Sequence, residues 1–150
     1  MKLAIISDTH DNPVYLARCL EWCAANAIET ILCCGDVARL ETLKLMDKQA
    51  PATIKLIRGN ADVFEDRETV KLERIEYLGR TALVELAGKR IALCHEPHFF
   101  PKMLGQKPDI IFYGHTHKPW LEVRDGVQLV NPGTLGGSGT PSTFAVWDTD

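Results

Sequence analysis

The 150-residue chain has no long apolar run, no block of like charge, no internal repeat and no low-complexity tract. Its apolar stretches, such as Ile110-Ile111-Phe112-Tyr113, are a few residues long, against the roughly 20 that a membrane helix needs, so no segment is expected to span a bilayer. The N-terminal run Leu3-Ala4-Ile5-Ile6 ends in Ser7-Asp8 and lacks a small-residue cleavage site. It reads as a buried first strand and argues against an export signal. Lysine and arginine number 17 against 20 acids and are scattered along the chain, so no long nucleic acid is expected as a partner. Cysteine is present but odd in number, at positions 19, 23, 33, 34 and 94. Without an export signal this fits free thiols in a cytoplasmic protein better than a disulfide framework.

What remains is the composition of a globular protein, 45% hydrophobic with a formal charge of -3. Domains typically hold about 100–200 residues, so residues 1–150 read as a single domain. Leu3 to Ser7 is a strand, and Asn12-Pro13 then supplies a helix N-cap and first helical position. That helix is expected to run to about Ala27, with Leu16, Leu20, Cys23 and Ala24 on one face. Thr30–Cys34 reads as a strand, Val37–Gln49 as a helix stopped by Pro51, and Thr53–Ile57 as a third strand. Strands separated by helices of this length imply parallel pairing through right-handed crossovers. Beyond residue 65 the pattern turns to strands with short connections: a hairpin of Thr81–Leu86 and Arg90–Cys94 about a Gly88-Lys89 turn, and a second, Trp120–Val123 and Val127–Val130, about Asp125-Gly126. A short helix is expected over Pro97–Leu104, a strand over Asp109–Tyr113 and a last strand over Phe144–Trp147. Residues 66–80 suit either an edge strand or a helix.

The chemistry-bearing residues follow the strands. Strand ends are succeeded by Ser7-Asp8-Thr9-His10, Gly35-Asp36, Gly59-Asn60, His95 and Gly114-His115-Thr116-His117. The carboxyl ends of neighbouring strands in open α/β sheets line one crevice, so five loops would aim acids, amides and imidazoles at one place. An Asp after a strand is by itself as ordinary as a turn or helix cap, and Gly-Asn is a common turn dipeptide. His115 and His117, two residues apart between Gly114 and Pro119, have little packing purpose. The seven groups Asp8, His10, Asp36, Asn60, His95, His115 and His117 exceed what one ion takes while keeping an open position, which points to two. Asp36 is the natural bridge, because a carboxylate has two oxygens and can touch two cations. Nitrogen and oxygen donors without thiolate suit a divalent ion of the Mn, Fe, Co, Ni and Zn series, manganese first among them.

This ordered series, with Gly59-Asn60-Ala61-Asp62 and Asn131-Pro132-Gly133, resembles the calcineurin-like metallophosphoesterases, in particular their small prokaryotic phosphodiesterase branch. The resemblance covers nearly the whole chain. It implies an α/β fold, a two-sheet β-sandwich flanked by helices. It also implies a dinuclear site in which Asp8, His10, Asp36 and His117 hold one ion and Asp36, Asn60, His95 and His115 the other. The activity implied is hydrolysis of a small phosphodiester by a metal-bridging hydroxide, with Asn60 also contacting a phosphoryl oxygen. Relatives of this branch include dimers and larger assemblies, so a homo-oligomer is within the expectation.

Two departures bear on catalysis. Many relatives carry His after the Gly-Asn pair as proton donor to the leaving group, where this chain has Ala61. The 90s loop reads His95-Glu96-Pro97-His98 rather than His-Gly-His, which makes His98 a candidate donor or substrate contact alongside the reading of a plain loop residue. Arg58 is a candidate phosphate contact or a strand end, and Trp120 and Phe99-Phe100 are either an apolar wall for a base or aryl group or core. The alternatives to a phosphodiesterase are a phosphomonoesterase and a catalytically inactive protein-binding scaffold of the same fold.

Overall fold

The computed structural model describes residues 1–150. The first sheet is built from β1 (Lys2–Ile6), β2 (Thr30–Cys33), β3 (Thr53–Leu56), β4 (Ile75–Tyr77) and the C-terminal β10 (Ala145–Asp148), in the order β10-β1-β2-β3-β4. β1 to β4 run parallel and β10 pairs antiparallel with β1. The second sheet has the order β5-β6-β7-β9-β8, from β5 (Thr81–Leu86), β6 (Lys89–Cys94), β7 (Ile110–Phe112), β8 (Trp120–Arg124) and β9 (Val127–Asn131). Here β6, β7 and β9 are parallel, and the two hairpin partners β5 and β8 form antiparallel edges.

Alternation along each strand assigns side chains to layers. Leu3, Ile5, Leu32, Cys34 and Ile57 of the first sheet meet Ile91, Leu93, Ile110 and Phe112 of the second in the central layer. Ala4, Ile6, Ile31, Cys33, Ile54 and Leu56 face the opposite way and are covered by α1 (Pro13–Ala25) and α2 (Leu40–Gln49) through Leu16, Leu20, Cys23, Leu43 and Met46. The outer face of the second sheet, with Ala92, Cys94, Ile111 and Tyr113, is covered by Phe100 and Met103 of α4 (Phe100–Leu104). Central strands buried on both faces are why they read as continuous apolar runs rather than alternating ones. The result is the expected two-sheet sandwich flanked by helices, with no helix long and apolar enough to cross a membrane.

Several boundaries differ from expectation for local reasons. α2 starts at Leu40 rather than Val37 because Asp36 and Ala38 adopt left-handed conformations, with φ of 55° and 83°. Its N-cap residue Arg39 makes no side-chain cap. Asp11 supplies one from the neighbouring loop, its Oδ1 accepting from Arg39 N at 3.1 Å and Thr42 Oγ1 at 2.5 Å. The first hairpin turns at Ala87-Gly88, one residue earlier than expected, with φ of 50° and 71°. Residues 66–80 hold both candidate elements, α3 (Asp66–Thr69) and then the edge strand β4. A short 3₁₀ turn over Pro97–Phe99 precedes α4.

All five cysteines are free and buried. Burial pushes the Cys33, Cys34 and Cys94 thiols up, Cys94 to about 12. Ellman's reagent is therefore expected to find almost no thiol in the native protein and all five after denaturation; rapid native labelling would contradict this packing.

Candidate metal centre

The loops that leave the carboxyl ends of β1, β2 and β3 meet those that leave β6 and β7, and backbone hydrogen bonds tie them together. Asp8 N donates to Gly35 O and His10 N to Asp36 O, each at 3.0 Å, while Gly114 N donates to His95 O at 3.1 Å. The β9 exit loop closes over the first strand, with Leu135 N and Gly136 N each donating at 2.9 Å, to Ser7 O and Asp8 O. Gly59 is required by close approach: a Cβ there would lie 2.1 Å from Asp36 Oδ1 and 2.4 Å from Asp36 N. Gly114 is required in the same way, since its Cβ would lie 2.0 Å from Ser7 Oγ.

The side chains converge on two carboxylate oxygens. Asp8 Oδ2 accepts from His115 N at 3.1 Å, leaving Oδ1 to face His117 Nε2 at 3.1 Å, His10 Nε2 at 3.6 Å and His95 Nε2 at 3.9 Å. Asp36 Oδ1 accepts from Ala61 N at 2.8 Å, leaving Oδ2 to face His95 Nε2 at 3.2 Å and His10 Nε2 at 3.7 Å. His10 and His117 present their Nε2 atoms to each other at 3.1 Å. His115 Nδ1 lies 3.0 Å from Asn60 Oδ1, and the His95 and His115 rings meet edge to face at 5.4 Å. Ligand atoms of Asp8, His10 and His117 lie within 4.8 Å of one another, as do those of Asp8, Asp36 and His95.

Asp36 Oδ1 accepts from the Ala61 N–H, and Oδ2 is the oxygen that lies between His10 and His95.

The donor set fits cations on its own chemistry. His95 Nδ1 lies 2.6 Å from the Cys34 carbonyl oxygen, which can only accept, so Nδ1 carries the proton and Nε2 of the neutral ring presents a lone pair. That lone pair is buried among carboxylate oxygens, and both His95 Nε2 and Asp8 Oδ1 lack a hydrogen-bond partner. Buried electron-rich atoms facing one another are costly unless a cation or a proton lies between them. Burial works against charge on His95, but the Asp36 and Asp8 carboxylates outweigh it and hold its pKa above the ordinary value. Burial likewise pushes Asp36 up, and His95, the Ala61 N–H and His10 together bring it below the usual carboxylate range. Asp8, His10, Asp36, His115 and His117 all have positive φ, between 44° and 71°. Such conformations cost a non-glycine residue about 1–3 kcal/mol each and cluster at functional sites.

The other candidates lie elsewhere. The Arg58 guanidinium donates to Tyr77 Oη, the Asp62 and Phe64 carbonyls and Asp66, lies over the Phe64 ring, and has no hydrogen bond with the ligand cluster. His98 is 67% exposed, packs on Phe99 and faces Glu96 at 3.5 Å, and has no hydrogen bond or ring contact with the ligand cluster. Phe100 is core, whereas Trp120 is 50% exposed beneath Lys118 Nζ.

A family model of the calcineurin-like phosphoesterase superfamily domain matches residues 1–150. Phosphodiesterase MJ0936 of Methanocaldococcus jannaschii is 30% identical over 162 residues, an overlap of 100% of this chain and 94% of that protein. Phosphodiesterase YfcE of Escherichia coli is 28% identical over 166 residues, covering 100% and 89%. Among solved structures, an archaeal phosphodiesterase superposes with a TM-score of 0.84 at 29% identity, over 99% of this chain and 94% of that one. Vps29 of Entamoeba histolytica superposes with a TM-score of 0.73 at 22% identity, over 100% and 87%, a likeness of fold. The arrangement of ligand-bearing loops on two helix-flanked sheets, matched along its whole length, places this chain in the calcineurin-like phosphoesterase superfamily.

Proposed function

We propose that the protein is a phosphodiesterase that hydrolyses a small diester at a centre of two divalent cations. The observation that supports it most is the pair of carboxylates, Asp8 and Asp36, each with one oxygen held by a backbone N–H and the other turned toward imidazole nitrogens. Asp8, His10, Asp36 and His117 would hold the first ion, and Asp36, Asn60, His95 and His115 the second. Bound there, two divalent cations of the Mn, Fe, Co, Ni and Zn series supply Lewis-acid charge for the phosphoryl oxygens and acidify the attacking water.

The chain's own residues do the positioning. His95, oriented by Cys34 O, keeps Nε2 as a lone-pair donor, and Asp36 aims Oδ2 at the same point. The Asn60 amide has Oδ1 against His115, which leaves Nδ2 to donate to a non-bridging phosphoryl oxygen. Ala61 carries no proton to give a leaving alkoxide. Residues 1–150 act here as one domain.

The test is elemental analysis of the purified protein together with hydrolysis of bis-p-nitrophenyl phosphate, with and without added Mn²⁺, Ni²⁺ or Zn²⁺. Two ions per chain with metal-stimulated turnover is the expected result. Turnover on p-nitrophenyl phosphate that exceeds turnover on the diester would make the enzyme a phosphomonoesterase, and neither metal nor turnover would overturn the reading in favour of a protein-binding scaffold.

A further inference from the structure

Asp62 is a buried acid with no cation beside its carboxylate. Oδ2 accepts from Gly59 N at 2.7 Å and Asp36 N at 3.1 Å, and Oδ1 accepts from Ala38 N at 2.7 Å. These donors belong to two different loops. Gly59 precedes Asn60 at the exit of β3, while Asp36 and Ala38 frame the left-handed exit of β2. Among side chains outside the ligand set, Asp62 alone joins the two loops by hydrogen bonds. Burial of a carboxylate is costly unless its oxygens are well bonded. Three backbone donors meet that demand only when both loops are in register. The approach is so tight that Gly59 has no room for a Cβ against Asp36.

We infer that Asp62 is a positioning residue of the metal centre, its carboxylate locking the loop of Asp36 to the loop of Asn60 and thereby holding the second ion's half of the site. The inference rests on the two-cation reading above. The first ion's other ligands, Asp8, His10 and His117, come from the β1 and β7 loops and are tied by Asp8–Gly35, His10–Asp36 and His115–Asp8 contacts in which Asp62 takes no part. Its loss should therefore be felt unequally by the two ions.

The experiment is a stepwise calorimetric titration of the metal-free protein with Mn²⁺, for wild type, Asp62→Asn and Asp62→Ala, each checked for folding by circular dichroism. Asn can keep one carbonyl oxygen for Asp36 N and Gly59 N but turns an NH₂ toward the Ala38 N–H, so it should lie between wild type and Ala. Loss of such an outer partner typically costs 10–100-fold in metal affinity. The expected result is that penalty on the second ion, which Asn60 also holds, and a clearly smaller one on the first, which shares only Asp36 with it. Combining Asp62→Asn with Asn60→Ala should add little beyond Asn60→Ala alone, because both act on the same ion, whereas combination with His10→Ala should come closer to additive, Asp36 being the one partner they share. Equal weakening of both ions, or no weakening, in a wild type that binds two would overturn the role of Asp62 and leave the dinuclear reading standing. A wild type that binds fewer than two ions would overturn both. An Asp62→Asn protein that stays unfolded with Mn²⁺ would likewise overturn the positioning role and assign Asp62 to the fold.

Discussion

Replacing Asp36 by Asn is expected to abolish turnover and remove at least one ion per chain while leaving the protein folded. The reason is directional as well as electrostatic. The Ala61 N–H, 2.8 Å from Oδ1, demands an acceptor there, so the carbonyl of the introduced amide takes that place and its NH₂ is forced into the place of Oδ2. Two hydrogens then point where a bridging oxygen would meet two cations. The same NH₂ faces the unpartnered His95 Nε2, at present 3.2 Å from Oδ2, and can donate to it. That hydrogen bond, worth about 1 kcal/mol, offsets part of what the metal-free protein loses when the Asp36 charge no longer faces His95. Metal charge on the transition state supplies several kcal/mol, and each 1.36 kcal/mol is tenfold in rate. Turnover of the variant should fall by a factor on the order of 10³ or more. Metal analysis, diester hydrolysis and a thermal melt of the metal-free form check the three parts separately. Normal turnover with full metal content would sink the bridging role, and a variant that no longer folds would sink the expectation that the amide takes over the Ala61 and His95 contacts.

The same residues mark where sequence reasoning reaches and where it stops. Each candidate ligand follows an apolar strand directly, and that adjacency is visible in one dimension: Ile6 before Ser7-Asp8, Cys34 before Gly35-Asp36, Cys94 before His95. Parallel strands have their carboxyl ends on one side, so the convergence was legible before any coordinate. The sandwich was legible less directly, through the resemblance, since periodicity alone does not reveal that β6, β7 and β9 run parallel while their hairpin partners form the edges. The use each polar group makes of its partners was not legible. Arg58 beside Gly59 read equally as a phosphate contact or a strand end, and its guanidinium is engaged by the Asp62 and Phe64 carbonyls with Asp66 and Tyr77. Asp62 stood in the sequence only as the end of Gly59-Asn60-Ala61-Asp62, and its three N–H partners from two loops reveal a clamp. Which oxygen of Asp36 is free depends on a backbone N–H twenty-five residues away, and no pattern in the sequence encodes that.

Ala61 sets the second large effect, on the leaving group rather than on the metals. Its backbone is pinned to Asp36 through the 2.8 Å hydrogen bond, so residue 61 is held beside the centre, yet it contributes no proton. An enzyme without a general acid must expel the alkoxide unaided, and its rate on a series of diesters should fall steeply as the leaving-group pKa rises. Activated aryl esters escape this penalty because their phenolates leave readily without a proton. Ala61→His restores a donor at a position already fixed by its neighbour, and general acid catalysis is worth about 10²–10⁴-fold. Turnover on alkyl diesters is therefore expected to rise by that order, with little change on bis-p-nitrophenyl phosphate. The gain needs the imidazolium, so it should be present at low pH and fade as pH rises through the ordinary His value of about 6.5. The plot of log rate against leaving-group pKa is the measurement, run for wild type, Ala61→His and His98→Ala. A steep wild-type slope that Ala61→His flattens is the expected outcome. A flat wild-type slope would show that another residue already donates, and steepening by His98→Ala would then identify it as His98, swung inward from its exposed place on the 3₁₀ turn.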